Sequence, residues 1–336
     1  MKPSLAVAFD EFGFETLIQG FLRTVRHHPD PAALEEYADE GLLGDPSPLY
    51  PDPGPAEILD SEAFGPAPKT HTIERLIIRI PGDAIHPATT SVVWAYRTRV
   101  TQTPRHTAIV LHGGLVGTEP RGLDLKPYLE WCEAAAVAGL DAIFVELPFH
   151  LSRTPEGRFS GELFVSGDLI RTLDTARQAV REIRSLVGWL EGGGGPPAGI
   201  VGFSLGGFVA TQALSVEDRL RFALLMAPIP EPAETFDTTL IGKAIFPDFA
   251  QPGLTEADLR DLFRAVRPGA FRPKVPLEDI LILAARYDQT VELAHMETFA
   301  AAWGVEMKVH DVGHLAMPLD RRVHEQSILP FLRRYV

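Results

Sequence analysis

The chain has 336 residues, 45% of them hydrophobic and 23% charged, enough for one large α/β domain with an insertion or for two average domains. Its formal charge of −14 and the lack of any basic run argue against a nucleic-acid partner and against attraction to an anionic membrane surface. A single cysteine, Cys132, rules out an intramolecular disulfide. With no Cys/His cluster beside it, it also argues against a structural zinc and suits a reducing, cytoplasmic setting. The apolar "LAVAF" near the start is too short for a signal-peptide core, and no later stretch approaches a membrane span.

Residues 1–70 read as an N-terminal helix followed by a proline-rich arm, both packing on the rest of the chain. Phe14, Leu17, Ile18, Phe21, Leu22 and Val25 recur at helical spacing. After "HHPDP", the stretch "GLLGDPSPLYPDPGPAEILD" holds too much proline and glycine for regular structure and reads as an extended arm. "TIERLIIRI" and "SVVWAYRTRV" then read as two antiparallel strands joined by a Pro-Gly-Asp turn. "TAIVLHGG" is an apolar strand ending in two glycines, "KPYLEWCEAAAVAG" a helix stopping at Gly139, and "LDAIFVELP" another buried strand. A long helix around 168–190 carries Leu169, Leu173, Ala176, Val180, Ile183, Val187 and Leu190 on one side, until "GGGGPP" breaks it. Strand "AGIVGF", helix "LGGFVATQALS" and strand "RFALLMAP" follow. Strand "ILILAARYD", helix "VELAHMETFAAAW", strand "VEMKVHD" and helix "RVHEQSILPFLRRY" end the chain.

Wholly apolar strands alternating with amphipathic helices predict an α/β fold with a mostly parallel sheet covered on both faces. Residues 229–276 interrupt the alternation at a length no crossover needs, and read as a lid or cap folded over the sheet. The α/β core then comprises residues 71–228 and 277–336.

Functional groups in such a sheet gather on loops at the carboxyl ends of strands. "GFSLGG" places Ser204 at the step from strand to helix, with Gly202 and Gly206 two residues to either side. A serine on so sharp a turn exposes its hydroxyl, the flanking glycines leave room for the backbone, and the amide of Leu205 faces the space above it. The competing reading is a serine that merely caps a helix. "LHGGLVG" brings glycine amides to the next loop, where Gly114 or Leu115 could join Leu205 in an oxyanion hole, and His112 shapes the turn. Asp288 follows a strand and precedes a helix, which suits either a carboxylate that orients a histidine or a helix cap. His314, in "VHDVGHLAMP", follows the last strand and can take and return a proton near neutral pH. Asp311 competes with Asp288 for the carboxylate role but sits too near His314 in sequence to reach beneath its ring easily. His310 lies inside the strand and reads as structural.

These features resemble the α/β-hydrolase fold family. The matching residues are His112-Gly113-Gly114, Gly202-Phe203-Ser204-Leu205-Gly206, Asp288 and His314, over roughly residues 73–336. The resemblance implies an eight-stranded, mostly parallel sheet with a lid inserted after the sixth strand. "ELPFH" at 146–150 is similar to the family's D-x-P-G-H loop, with Phe149 in place of the glycine. "LPFHLSRTPEGRFSGELF" is similar to a little-described bacterial branch of the family.

A serine nucleophile implies acyl transfer to water with no metal or organic cofactor. The substrate is then a small-molecule carboxylic ester with a small or medium acyl group. Thioester, amide, peptide or C–C cleavage by the same triad is the alternative, and a non-catalytic binding module a more distant one. His150, Phe164, Met226, Phe236, Phe246, Phe249 and Met317 could line an acyl pocket, although aromatic and methionine side chains at such spacings also build plain core. The sequence is compatible with a homodimer.

Overall fold

The computed structural model describes residues 3–17, 45–65, 70–86, 89–114, 126–233 and 266–336, together with positions 239, 242, 255, 257, 260, 263 and 264. Nine strands form one sheet: β1 (Glu57–Ala63), β2 (His71–Arg79), β3 (Val92–Val100), β4 (Thr107–Leu111), β5 (Asp141–Val145), β6 (Ala198–Phe203), β7 (Ala223–Met226), β8 (Ile280–Ala285) and β9 (Glu306–His310). Their order is β1-β2-β3-β5-β4-β6-β7-β8-β9. The pairs from β1 to β5 along the edge are antiparallel, and all pairs from β5 through β4 to β9 are parallel.

Every residue of β4 through β8 is buried, as a sheet covered on both faces requires. Alternate residues nonetheless serve different cores. Ile109, Leu111, Ile143, Val145, Ile200 and Ile282 face α3 (Leu169–Trp189), α4 (Leu205–Val216) and α5 (Leu293–Trp303). Ala108, Val110, Phe144, Val201, Leu224 and Leu283 face α2 (Lys126–Ala138) and the C-terminal helical stretch 321–335. The stripe Leu169, Leu173, Ala176, Val180, Ile183, Val187 and Leu190 is buried. Each of its larger aliphatic members contributes roughly 1.5–3 kcal/mol by leaving water. Asp168 starts α3 by accepting the Arg171 amide at 3.1 Å.

Two departures from the sequence reading have local causes. The sheet has nine strands rather than eight, because β1 forms within the stretch read as irregular arm. No proline stands between Pro55 and Pro66, and "EILDSEA" in that gap can pair with β2 as an exposed edge strand, its charges guarding the edge. The closing helix is broken into Arg321–Val323, a wide turn at His324–Ile328 and Leu329–Leu332, since Pro330 has no N–H to give the preceding turn.

The proline-rich segment is fastened to α3 and α4 by specific bonds. Arg177 Nε donates to Leu49 O at 3.0 Å, Ser185 Oγ to Gly54 O at 2.7 Å, and Tyr50 OH to Gln212 Oε1 at 3.0 Å. Tyr50 is fully buried, so its hydroxyl needs that acceptor. The segment 229–276, read as a lid, falls mostly outside the described residues. At the chain start, α1 (Pro3–Leu17) is a separate helix, and the rest of the expected stripe, from Ile18 on, lies outside them.

Candidate active site

Ser204 stands between β6 and α4 with φ 52° and ψ −115°, a conformation that disfavours any side chain. The surroundings impose it. Ser204 N donates to Met226 O at 2.9 Å, and Gly206 N donates to His112 O at 3.0 Å. A Cβ at Gly202 would lie 2.4 Å from Gly206 O, and one at Gly206 would lie 2.5 Å from His112 O. Backbone cannot yield at such distances, so both positions must be glycine.

This turn aims the serine at a histidine. His314 Nε2 lies 2.8 Å from Ser204 Oγ, and His314 Nδ1 lies 2.6 Å from Asp288 Oδ2. The three residues, between 3% and 8% exposed, sit at the carboxyl ends of β6, β8 and β9. Asp288 combines both roles weighed from sequence. Its Oδ2 holds the imidazole, while its Oδ1 accepts the amides of Thr290 and Val291 at 2.7 Å each. The cap belongs to the turn before α5, whose first helical residue is Leu293. Burial alone would lower the basicity of His314. The charge and hydrogen bond of Asp288, with the charge of Asp10, outweigh it and raise the imidazole above its ordinary pKa.

Asp311 takes no part in this chain of bonds. It is exposed and pairs with Arg286 Nε at 2.7 Å. His310 bonds Ser327 Oγ at 2.9 Å through Nε2.

Leu205 opens α4, so its amide has no acceptor within the helix. Gly114 adjoins it, since a Cβ there would lie 3.4 Å from Leu205 Cδ2. Leu115 lies outside the described residues. His112 is fully buried with Nδ1 2.6 Å from Gly113 O, and its Nε2 accepts the Leu147 amide at 3.0 Å. Burial pushes its pKa down to about 4, so the ring is neutral and ties the β4 loop to the β5 loop.

The model of the family described as alpha/beta hydrolase domain containing 18 matches residues 135–236, a stretch that includes the Ser204 turn. The chain has the α/β-hydrolase fold. An uncharacterized Mycobacterium tuberculosis protein, MT2702, is 27% identical over 315 residues, covering 86% of this chain and 73% of its own. Among solved structures, acetyl xylan esterase 1 from Thermoanaerobacterium sp. JW/SL YS485 superposes with a TM-score of 0.59 at 15% identity, over 92% of this chain and 97% of that one. TT1662 from Thermus thermophilus gives 0.54 at 21% identity, over 72% and 93%.

Departures from the α/β-hydrolase pattern concentrate in the β5 loop. Phe149 has φ 62° where the family loop has glycine, and Leu151 follows at φ 49°. A Gly161 amide donating to Phe149 O at 2.9 Å and a buried Phe149 ring help hold the strained residue. His150 is buried, its Nδ1 2.9 Å from Pro148 O and its ring centroid 4.8 Å from that of His112. Phe164, Met226 and Met317 are buried in the two cores. Phe236, Phe246 and Phe249 lie outside the described residues. A cavity of about 270 Å³ bordered by Glu231, Arg264, Arg267 and His295 shares no residue with the serine constellation.

Sequence reasoning missed Asp10, whose carboxylate accepts the His314 amide, and Glu146, which is wholly buried under the β5 loop. Glu146 accepts from Ser152 N at 2.9 Å and Ser152 Oγ at 3.2 Å. The nearby guanidinium of Arg153 is already matched by Glu182 at 2.7 and 2.8 Å. Burial therefore dominates and pushes the Glu146 carboxyl up to about 7. The folded chain thus keeps a proton that the unfolded chain releases between about pH 4.5 and 7, and stability falls as pH rises through that window. Glu146→Gln mimics the protonated form. In urea titrations it should match the parent at pH 4 and exceed it by about 3 kcal/mol at pH 8. Parallel stability curves for the two proteins would contradict this account.

Proposed function

We propose that the chain is a serine hydrolase that cleaves a carboxylic ester bearing a small or medium acyl group. The observation that carries this reading is the unbroken chain of short contacts from Ser204 Oγ through His314 to Asp288, on a serine held in a strained turn. Its likeness to acetyl xylan esterases supports an ester, since that is the bond their names say they cleave.

Ser204 Oγ attacks the carbonyl carbon while its proton passes to His314 Nε2. The carbonyl oxygen becomes an oxyanion, held by the Leu205 amide and by that of Gly114 or Leu115. Collapse breaks the ester C–O bond, and the leaving alkoxide takes the proton from His314. Water then gives a proton to His314 and attacks the acyl-serine, and the second collapse returns that proton to Ser204 and releases the acid. Asp288 holds the imidazole in the tautomer with hydrogen on Nδ1 and stabilises the imidazolium. Phe164, Met226, Met317 and His150 are proposed to shape the acyl side from beneath rather than through open surface, given their burial. Among the described residues no helix is long and apolar enough to cross a membrane, and the lone, buried Cys132 suits the cytoplasm.

A fluorophosphonate probe with mass mapping should label Ser204 alone, stoichiometrically. Hydrolysis of p-nitrophenyl acetate and butyrate should exceed that of matched thioesters and anilides. Absence of label on Ser204 refutes the mechanism, and a preference for anilide or thioester refutes the ester assignment.

A further inference from the structure

Among its described side chains, helix α1 buries Ala6, Asp10 and Phe14 and leaves most of the others exposed. They stand four residues apart, a single stripe along one face. An aspartate in the middle of a helix's buried stripe is costly, because its charge must leave water. Asp10 is 0% exposed, and no lysine or arginine among the described residues pairs with it. Its partners are two consecutive backbone amides. Oδ2 accepts from His314 N at 2.5 Å, and Oδ1 accepts from Leu315 N at 3.0 Å.

The fit around this contact is close on both sides. A Cβ at Gly313 would lie 2.7 Å from Asp10 Oδ2, and a Cβ at Gly13 would lie 2.4 Å from Leu315 Cδ1. Glycine thus stands on both sides of the contact, Gly13 on the helix and Gly313 on the loop. The Phe14 ring centroid lies 5.9 Å from that of His314, and Phe203 lies 5.0 Å from it. The imidazole is therefore flanked by an aromatic ring from α1 and one from β6.

We propose that Asp10 is a positioning residue for His314: it fixes the backbone that carries the imidazole and supplies a second negative charge near it. The proposal rests on the serine-hydrolase reading above. In that mechanism His314 must keep Nε2 toward Ser204 and Nδ1 toward Asp288, and a misplacement of about 1 Å can cost about 100-fold in rate. His314 becomes an imidazolium during each proton transfer, and the carboxylates that act on it are Asp288 and Asp10. Asp10 in turn feels the charges of His314 and Asp288, and burial raises its own pKa against the pull of the two amides. Residues 3–17 are on this account part of the active site rather than an appendage.

Asp10→Asn and Asp10→Glu separate the two contributions. Asn removes the charge and one of the two acceptors, its NH₂ then facing an amide N–H, whereas Glu keeps the charge and both acceptors but displaces them. For Asp10→Asn, kcat should fall about tenfold with KM nearly unchanged, and the acidic limb of kcat should move to lower pH. The His314 ring nitrogens, followed by NMR in the resting protein, should titrate at lower pH than in the parent. For Asp10→Glu the titration should stay within about 0.3 of the parent while kcat falls. A melting temperature lowered in both variants with His314 titration and kcat unaltered would overturn the proposal, leaving Asp10 a simple anchor. The NMR titration needs no turnover, so it tests Asp10 even if the parent fails to take the fluorophosphonate label. That second failure would refute the hydrolase reading instead. If Asp10→Asn does not fold, Asp10→Glu alone decides: an unchanged kcat refutes the positioning role.

Discussion

Ser204→Ala is expected to lower kcat/KM for a p-nitrophenyl ester by about 10⁴ to 10⁶-fold, with the circular dichroism spectrum unchanged. Removing a nucleophile from a hydrogen-bonded triad leaves only the acceleration that the oxyanion donors and substrate binding provide. The fold should not suffer, because among the described residues the side chain's only partner is His314 Nε2, and the turn is held by backbone bonds to Met226 and His112. Ser204→Gly sharpens the test. With φ at 52°, any side chain at this position is strained, and glycine removes a cost of roughly 1–3 kcal/mol. The glycine variant should therefore be as inactive as the alanine variant and yet resist urea better. A residual rate above a tenth of the parent in either would exclude Ser204 as nucleophile. Equal stability of the two would limit the strain to roughly the 0.5–1 kcal/mol that glycine's extra chain entropy costs.

The difference between what could and could not be read from sequence follows the range of the contacts. Ser204 announces itself because the glycines that make its turn possible are two residues away. The clashes a Cβ would meet at Gly202 and Gly206 are with backbone of the same turn and of the neighbouring β4 loop. Asp288 and His314 were legible for a related reason: one follows the apolar strand β8 and the other the last strand β9, and strand ends in a parallel sheet lie side by side. Sequence left Asp288 between an orienting role and a capping role, and the geometry has one oxygen doing each.

Asp10 had no such local signal. Its partner is 304 residues away, and nothing in "LAVAFDEFGF" distinguishes it from its neighbour Glu11 until burial is known. Of the stripe read from that region, starting at Phe14 and running toward Val25, Phe14 alone falls among the described side chains, and it is buried in line with Ala6 and Asp10. Polar residues do not register in a hydrophobic pattern, so a buried aspartate hides the face it belongs to. β1 was lost in the opposite way. Prolines up to Pro55 dominated the window, while the pairing with β2 that makes "EILDSEA" a strand is tertiary. Phe149 marks a third limit: glycine is the residue expected at a positive φ, and a phenylalanine there is tolerated only because buried contacts enforce it.

Asp288→Asn should cost about 10³ to 10⁴-fold in kcat, whereas Asp311→Asn should stay within about twofold of the parent. An asparagine can keep its oxygen toward the Thr290 and Val291 amides, where Asp288 Oδ1 now accepts two bonds. Its NH₂ group then faces His314 Nδ1. That nitrogen must become the acceptor, which puts the ring's hydrogen on Nε2, and a ring protonated there cannot take the proton of Ser204. The stability loss should be small beside the loss in rate, because the turn survives. Asp311 faces solvent and pairs with a half-exposed Arg286, a contact screened by water and shared with no residue of the triad. The pH profile separates the two further. His314 must be neutral to act as base, and its raised pKa means that activity is lost as pH falls through a value above the ordinary 6.5. Asp288 is the principal cause of that rise, so the residual activity of Asp288→Asn should persist to lower pH, while Asp311→Asn leaves the limb in place. If Asp311→Asn proved the more damaging, the carboxylate that orients His314 during turnover would be Asp311, and the resting geometry at Asp288 would not be the working one.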